Sequence, residues 1–216
     1  MSAHFTDVKT FFCEGVKMFT GIVRSIGKVS SLEECDGDVR LTISSDDLGL
    51  DDIQLGDSIA CSGPCLTVVD KTGNSFSVDV SLETLGLTTI GTWREGDSIN
   101  LEKAMMATDR FGGHIVSGHV DGIGEVTERA NNARSEFLKI KAPKNLLKYI
   151  SVKGSITVDG TSLTINGVSG SEFELNIIPQ TLNHTVINGY KVGTKVNLEV
   201  DLVARYLEKL LSAQQN

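Results

Sequence analysis

A chain of 216 residues with 40% hydrophobic and 22% charged content has room for one large core or two small ones. Its net charge is −8 with no basic cluster, which argues against a nucleic-acid partner, because such affinity comes largely from cations meeting phosphates. No apolar run approaches the roughly 18 residues that a membrane-spanning helix needs.

The opening stretch, MSAHFTDVKTFFCEGVK, lacks the basic start and long apolar middle of a secretion signal, and it carries Asp7 and Glu14. Residues 1–17 read as an N-terminal extension, and the chain is expected in the cytoplasm, where thiols stay reduced. The four cysteines, Cys13, Cys35, Cys61 and Cys65, form no CxxC pair; free structural thiols are the default reading.

From residue 18 onward the chain repeats itself at an offset of 97 residues. Gly21, Val23, Ile26 and Gly27 meet Gly118, Val120, Ile123 and Gly124, and Asn100-Leu101-Glu102 meets Asn197-Leu198-Glu199. A constant offset of this length marks the tandem duplication of a small domain, with one copy at 18–113 and the other at 114–203.

The first copy contains short strand patterns at RLTIS (40–44), SIAC (58–61), SFSVDV (75–80) and SINLE (98–102). The second contains FLKIK (137–141), SITV (155–158), EFELNI (172–177) and KVNLE (195–199). Phe76, Val78 and Val80 alternate onto one face, as do Phe173, Leu175 and Ile177. Short helical turns are expected at DDLGL (46–50) and PKNLLKYI (143–150). Short strands punctuated by Gly-rich turns predict an antiparallel barrel or sandwich. The tail departs from this pattern. Leu202, Val203, Tyr206, Leu207, Leu210 and Leu211 fall on one face of a helix beginning near 202, and the segment 204–216 is expected to serve self-association.

Two related stretches carry the chemistry: SIACSGPCLTV (58–68) and SITVDGTSLTI (155–165). They keep one frame but place Cys65 in the first copy and Ser162 in the second. Packing alone would favour Ala or Val at both; a thiol and a hydroxyl can donate a hydrogen bond or add to an electrophile. Thr67 and Thr164 follow two residues on, on the same strand face. In GGHIVSGH (112–119), His114 and His119 would point to opposite faces of a strand with no third ligand nearby, a poor metal site. His119 stands where the first copy has Ile22, and a histidine present in only one copy is a candidate for proton transfer. GHVDGIG lacks the strand–GxGxxG–helix context of a dinucleotide site.

Together MFTGIVRSIG, CSGPCLTVV, SLETLGLTTIG, NLEKAM, GGHIVSGHVDGIGEV, KGSITVDGTSLTI, IIPQTLNHT and VNLEVD resemble the riboflavin synthases of the trimeric, two-barrel type. The resemblance implies an all-β fold, two tandem six-stranded antiparallel Greek-key barrels, with a C-terminal α-helix that trimerises the chain. It implies a transferase that dismutates two molecules of 6,7-dimethyl-8-ribityllumazine, both held in one site, into riboflavin and 5-amino-6-(D-ribitylamino)uracil. Neither a metal nor an organic cofactor is called for. The site is expected between the first barrel of one subunit and the second barrel of its neighbour in a homotrimer, and the resemblance allows lumazine synthase as a further partner.

Pocket positions carry over by matching residues. In the first barrel they are Gly21, Ile22 and Val23, then Cys65, Leu66 and Thr67, then Asp79, Val80, Ser81, Leu82, Glu83 and Thr84, with Ser58 nearby. In the second they are Gly118, His119 and Val120, then Lys153, then Ser162, Leu163 and Thr164, then Asn176, Ile177, Ile178, Pro179, Gln180 and Thr181. Phe19 is expected to stack on or close over a ring, and Asp201 matches an acidic position near the site. His119 would transfer the proton of the acidic 7-methyl group, while Ser162 and Thr164 would orient and polarise the substrate. Cys65 would either assist addition to the second substrate or line the pocket. The rival resemblance is to lumazine proteins, which share the fold and bind a lumazine or flavin as an optical antenna. The presence of Cys65, His119, Ser162 and Thr164 together favours the enzyme.

Overall fold

Alternating apolar residues write two closed barrels into the computed structural model, which describes residues 17–35 and 37–213. Cys13 and the expected extension, apart from Lys17, lie outside the described residues, as do positions 214–216. The first barrel comprises β1 (Ser25–Cys35), β2 (Asp38–Ser44), β3 (Ser58–Cys61), β4 (Cys65–Thr72), β5 (Ser75–Val80) and β6 (Ser98–Lys103). All neighbours are antiparallel, in the closed order β1-β2-β5-β4-β3-β6. The second barrel comprises β7 (Gly122–Asn132), β8 (Ser135–Lys141), β9 (Ser155–Val158), β10 (Thr161–Ser169), β11 (Glu172–Ile177) and β12 (Lys195–Val200). It closes in the equivalent order, so the duplication read from the sequence is a duplication of topology.

Each barrel has its own core. Phe76, Val78 and Val80 of β5 are buried with Leu41, Ile43 and Ile59; one repeat later Phe173, Leu175 and Ile177 are buried with Leu138, Ile140 and Ile156. Phe76 and Phe173 are the largest equivalent pair, and truncating either to Ala would cost about 3–5 kcal/mol.

The strand segments at SIAC, SITV, SFSVDV and EFELNI match β3, β9, β5 and β11, and short 3-10 turns form at Leu50–Asp52 and Lys144–Tyr149. Two helices were not foreseen: α1 (Leu82–Leu87) and α2 (Pro179–His184). Each is six residues long and buries no residue, too short for a helical stripe to show. Local chemistry makes them: Ser81 accepts the Thr84 N–H as an N-cap, and Pro179 opens α2 with its φ already set.

The barrels join through a pseudo-twofold junction. Phe19 and Val116, one repeat apart, exchange backbone hydrogen bonds of 2.9 and 3.2 Å as an isolated antiparallel bridge. On either side the asparagines of β6 and β12 reach across. Asn100 donates to the Asp159 carbonyl and accepts from Val186 N–H, both at 2.8 Å; Asn197 donates to the Ser62 carbonyl and accepts from Thr89 N–H, again at 2.8 Å.

The last element is α3 (Leu202–Ala213), which begins where the apolar stripe predicted. Asp201 caps it, its carboxylate accepting Val203 N–H. Polar ties hold it to the second barrel: Glu208 to Lys148 and Tyr149, and Arg205 to Asp121. Val203, Tyr206, Leu207, Leu210 and Leu211 are each more than half exposed.

Candidate functional site

The two glycine turns set the geometry. Gly21 and Gly118 both sit at φ +75°, in the left-handed region that disfavours a side chain. A Cβ on Gly21 would fall 2.6 Å from the Cβ of Ser162, and one on Gly118 would fall 2.5 Å from the Cβ of Cys65. The Gly21 carbonyl accepts Ser162 N–H at 2.7 Å, and the Gly118 carbonyl accepts Cys65 N–H at 2.8 Å.

These contacts are crossed. The sequence reading grouped Gly21–Val23 with Cys65–Thr67 in the first barrel, and Gly118–Val120 with Ser162–Thr164 in the second. In the structure each turn lies against the Cys65 or Ser162 position of the opposite barrel. A constant offset cannot reveal this, because exchanging two equivalent segments leaves the offset unchanged.

At the Ser162 end, His114 is the residue that sequence reasoning weighed only as a metal ligand. It is buried, and its Nδ1 lies 2.7 Å from Ser162 Oγ. Burial pushes the His114 imidazole below its usual value, against the opposing charge of Asp201, so the ring is neutral at pH 7 and can accept the serine proton in its hydrogen bond. Asp201 therefore lies near enough for its charge to act on His114. Thr164 is exposed on β10, opposite Ser155.

At the Cys65 end, the thiol is partly buried. Burial raises its pKa, while a hydrogen bond with Ser58 and the charge of Lys17 pull the other way; the thiol stays protonated at neutral pH. Cys65 is therefore a hydrogen-bond donor rather than a ready thiolate. Thr67 is exposed on β4 opposite Ser58, and His119 is exposed directly after Gly118.

Other expected residues divide by exposure. Ile22, Leu82 and Ile178 are exposed apolar side chains. Glu83, Asn176, Pro179 and Gln180 are exposed, whereas Val23, Val120, Leu163, Thr84 and Thr181 are half-buried. Ser81 and Thr84 share the α1 cap. Asp79 forms a two-toothed ion pair with Arg40 at 2.7 and 2.8 Å, so it meets a ligand only as part of that pair. Val80, Ile177 and Leu66 point into the barrel cores and offer only backbone. Phe19 is a correction. It is fully buried beside Ala60 and Val116 in the junction, so it stacks on no ring.

Lys153 is exposed, and no partner holds its ammonium among the described residues. It adopts φ +67°, where its repeat counterpart is Gly56 at φ +91°. A lysine held in this conformation costs about 1–2 kcal/mol relative to glycine. A cleft of about 660 Å³ opens beside the first turn, lined by Thr20, Arg24, Ser58, Glu102 and Lys103.

The sequence pattern of the lumazine binding domain matches this chain twice, at residues 20–104 and 117–201. The chain is 50% identical over 194 residues to riboflavin synthase of Photobacterium phosphoreum, covering 90% of this chain and 89% of that one. It is 42% identical to riboflavin synthase of Bacillus subtilis (strain 168), covering 90% of each. Its fold resembles LumP solved in complex with riboflavin, with a TM-score of 0.79 at 24% identity over 85% of this chain and 99% of that one. LumP in complex with 6,7-dimethyl-8-(1'-D-ribityl) lumazine gives a TM-score of 0.77.

Proposed function

This chain belongs to the riboflavin synthase family, and from that premise we propose how its two barrels share one dismutation. It is a transferase of that type. One 6,7-dimethyl-8-ribityllumazine gives a four-carbon unit to a second, yielding riboflavin and 5-amino-6-(D-ribitylamino)uracil, the last step of riboflavin biosynthesis.

In this reading each chain carries two substrate pockets, and the crossed contacts support the following division of their parts. One pocket joins Gly21–Val23 to Ser162–Thr164, His114, Asp201 and the Asn176–Thr181 segment. The other joins Gly118–Val120 to Cys65–Thr67 and the Asp79–Thr84 segment. Lys153 supplies a cation for the polar ribityl chain or a ring carbonyl.

The crossed geometry is the observation that carries this reading. Gly21 and Gly118 each lie two residues beyond the antiparallel Phe19–Val116 pair, in opposite directions. Four residues of chain path separate them by up to roughly 13 Å, whereas stacked rings must touch. This spacing supports a reading in which the two substrates held by one chain do not react with each other. They meet between chains, when the Cys65 end of one subunit faces the Ser162 end of its neighbour. The outward apolar stripe of α3 supports a homotrimer that brings these ends together.

In the assembled site, His119 takes the proton from the 7-methyl group, whose charge the ring delocalises. Ser162, held by neutral His114, and Thr164 orient and polarise one lumazine. The Cys65 thiol donates toward the other. Aligning the two rings is worth up to about 7–11 kcal/mol at its best. The reaction belongs to the cytoplasm in this account; among the described residues no helix is long and apolar enough to cross a membrane.

Mixing Cys65→Ala and Ser162→Ala chains, each impaired on its own, then dissociating and reassembling them, tests the shared site. Restored turnover is expected, because some interfaces regain both intact ends. Turnover no higher than that of the separate variants would contradict it.

A further inference from the structure

We propose that Glu102 and Glu199 are positioning residues: each fixes the glycine turn of its own barrel, and through the carbonyl of that turn seats the reactive residue of the other barrel. The inference rests on the reading of Cys65 and Ser162 as pocket residues.

Both glutamates are buried, 5% and 3% exposed, at equivalent places on β6 and β12. Leu101 and Leu198, one residue before, point into the barrel cores, so strand alternation turns the carboxylates outward to the junction. Glu199 Oε1 accepts Ser117 N–H at 2.8 Å and Ser117 O–H at 2.6 Å, and Oε2 accepts Gly118 N–H at 3.1 Å. Gly118 then accepts Cys65 N–H at 2.8 Å through its carbonyl. Glu102 repeats the pattern. Its Oε1 accepts Thr20 N–H at 2.8 Å and O–H at 2.7 Å, and its Oε2 accepts Gly21 N–H at 2.9 Å; Gly21 accepts Ser162 N–H at 2.7 Å.

Three donors converge on each carboxylate, and only an acceptor with two oxygens satisfies them all. A glutamine of the same volume would offer one acceptor and aim an N–H₂ group at the glycine N–H. The turn would shift, and with it the residue on the opposite barrel. Simple packing predicts otherwise, since Glu→Gln conserves shape. The arrangement is also directional. Glu199 lies in the second barrel but controls Cys65 in the first, and it orients the turn from which His119 projects. Glu102 lies in the first barrel but controls Ser162 in the second.

The test uses the full chain with Cys13 and Cys35 replaced by Ser. Iodoacetamide labelling of Cys65 is followed by peptide mass, alongside turnover of 6,7-dimethyl-8-ribityllumazine and thermal unfolding. E199Q is expected to speed Cys65 labelling at least threefold and to lower kcat at least tenfold. E102Q is expected to lower kcat while leaving Cys65 labelling at the parental rate, which a general loosening of the fold would not do. Parental labelling and turnover in E199Q, or equal acceleration of Cys65 labelling by both variants, would overturn the proposal. If E199Q does not fold, S117A removes one of the three donors. It should move labelling and kcat in the same directions by smaller factors, and no change in either would be contrary. A parental protein without turnover would instead defeat the functional reading, while the labelling pattern still judges Glu199.

Discussion

Asn100 and Asn197, one repeat apart, bind the two barrels by reaching across the junction in opposite senses, each donating 2.8 Å to a backbone carbonyl of the other barrel. Both are about 2% exposed or less, so neither bond can be replaced by water without opening the junction. Asn197→Ala strips partners from the buried Ser62 carbonyl and Thr89 N–H. Each such group costs about 1–3 kcal/mol, so urea unfolding should show a loss on the order of 3 kcal/mol. A loss under about 1 kcal/mol would mean that the junction relies on other contacts.

Asp159 predicts a pH dependence of stability. It is buried, accepting Asn197 N–H at 2.7 Å and Tyr190 O–H at 2.5 Å, and burial raises its pKa from 3.8 to about 7. The folded state therefore binds this proton more tightly than the unfolded chain. The stabilisation is fully present below about pH 4 and is lost as pH rises from there toward 7. Asp159→Asn cannot titrate. Its stability relative to the parent should rise between pH 4 and 7 by on the order of 3 kcal/mol in chemical unfolding. A difference independent of pH would refute the buried-carboxyl account.

On the proposed reading, Lys153 trades stability for substrate binding. Lys153→Gly relieves a left-handed backbone, φ +67°, worth about 1–2 kcal/mol, and after the greater chain entropy of an unfolded glycine offsets part of this, the fold should gain about 0.5–1 kcal/mol. The same change removes an unpartnered cation from the proposed pocket, and KM should rise about tenfold, roughly 1.4 kcal/mol. A variant that gains stability with unchanged KM would remove Lys153 from substrate binding.

The two histidines should separate by role. His119→Ala should lower kcat by about 10²–10⁴-fold as the proton acceptor. His114→Ala and Ser162→Ala, whose side chains lie 2.7 Å apart, should each cost less, and the double variant should be little worse than either alone. Additive losses in that cycle would show that His114 acts apart from Ser162.

The duplication, most strands, the tail helix and the Cys65/Ser162 exchange between copies were legible because each leaves a local pattern: an offset, a two-residue alternation, a helical stripe, a broken identity. What escaped was tertiary. Which glycine turn faces which barrel depends on how two equivalent units dock, and the His114–Ser162 contact spans 48 positions across that docking. Phe19 looked available because it precedes the pocket frame, yet the Val116 bridge buries it. α1 and α2 are written by caps rather than by a buried face, a signal carried in one or two residues.

The most direct test of the central claim is to mix purified protein with 6,7-dimethyl-8-ribityllumazine, without added metal or cofactor, and follow both pigments by absorbance. Riboflavin should appear at half the molar rate at which the lumazine disappears. Tight binding of the lumazine without riboflavin formation would contradict the enzyme and make the chain an antenna-type binder.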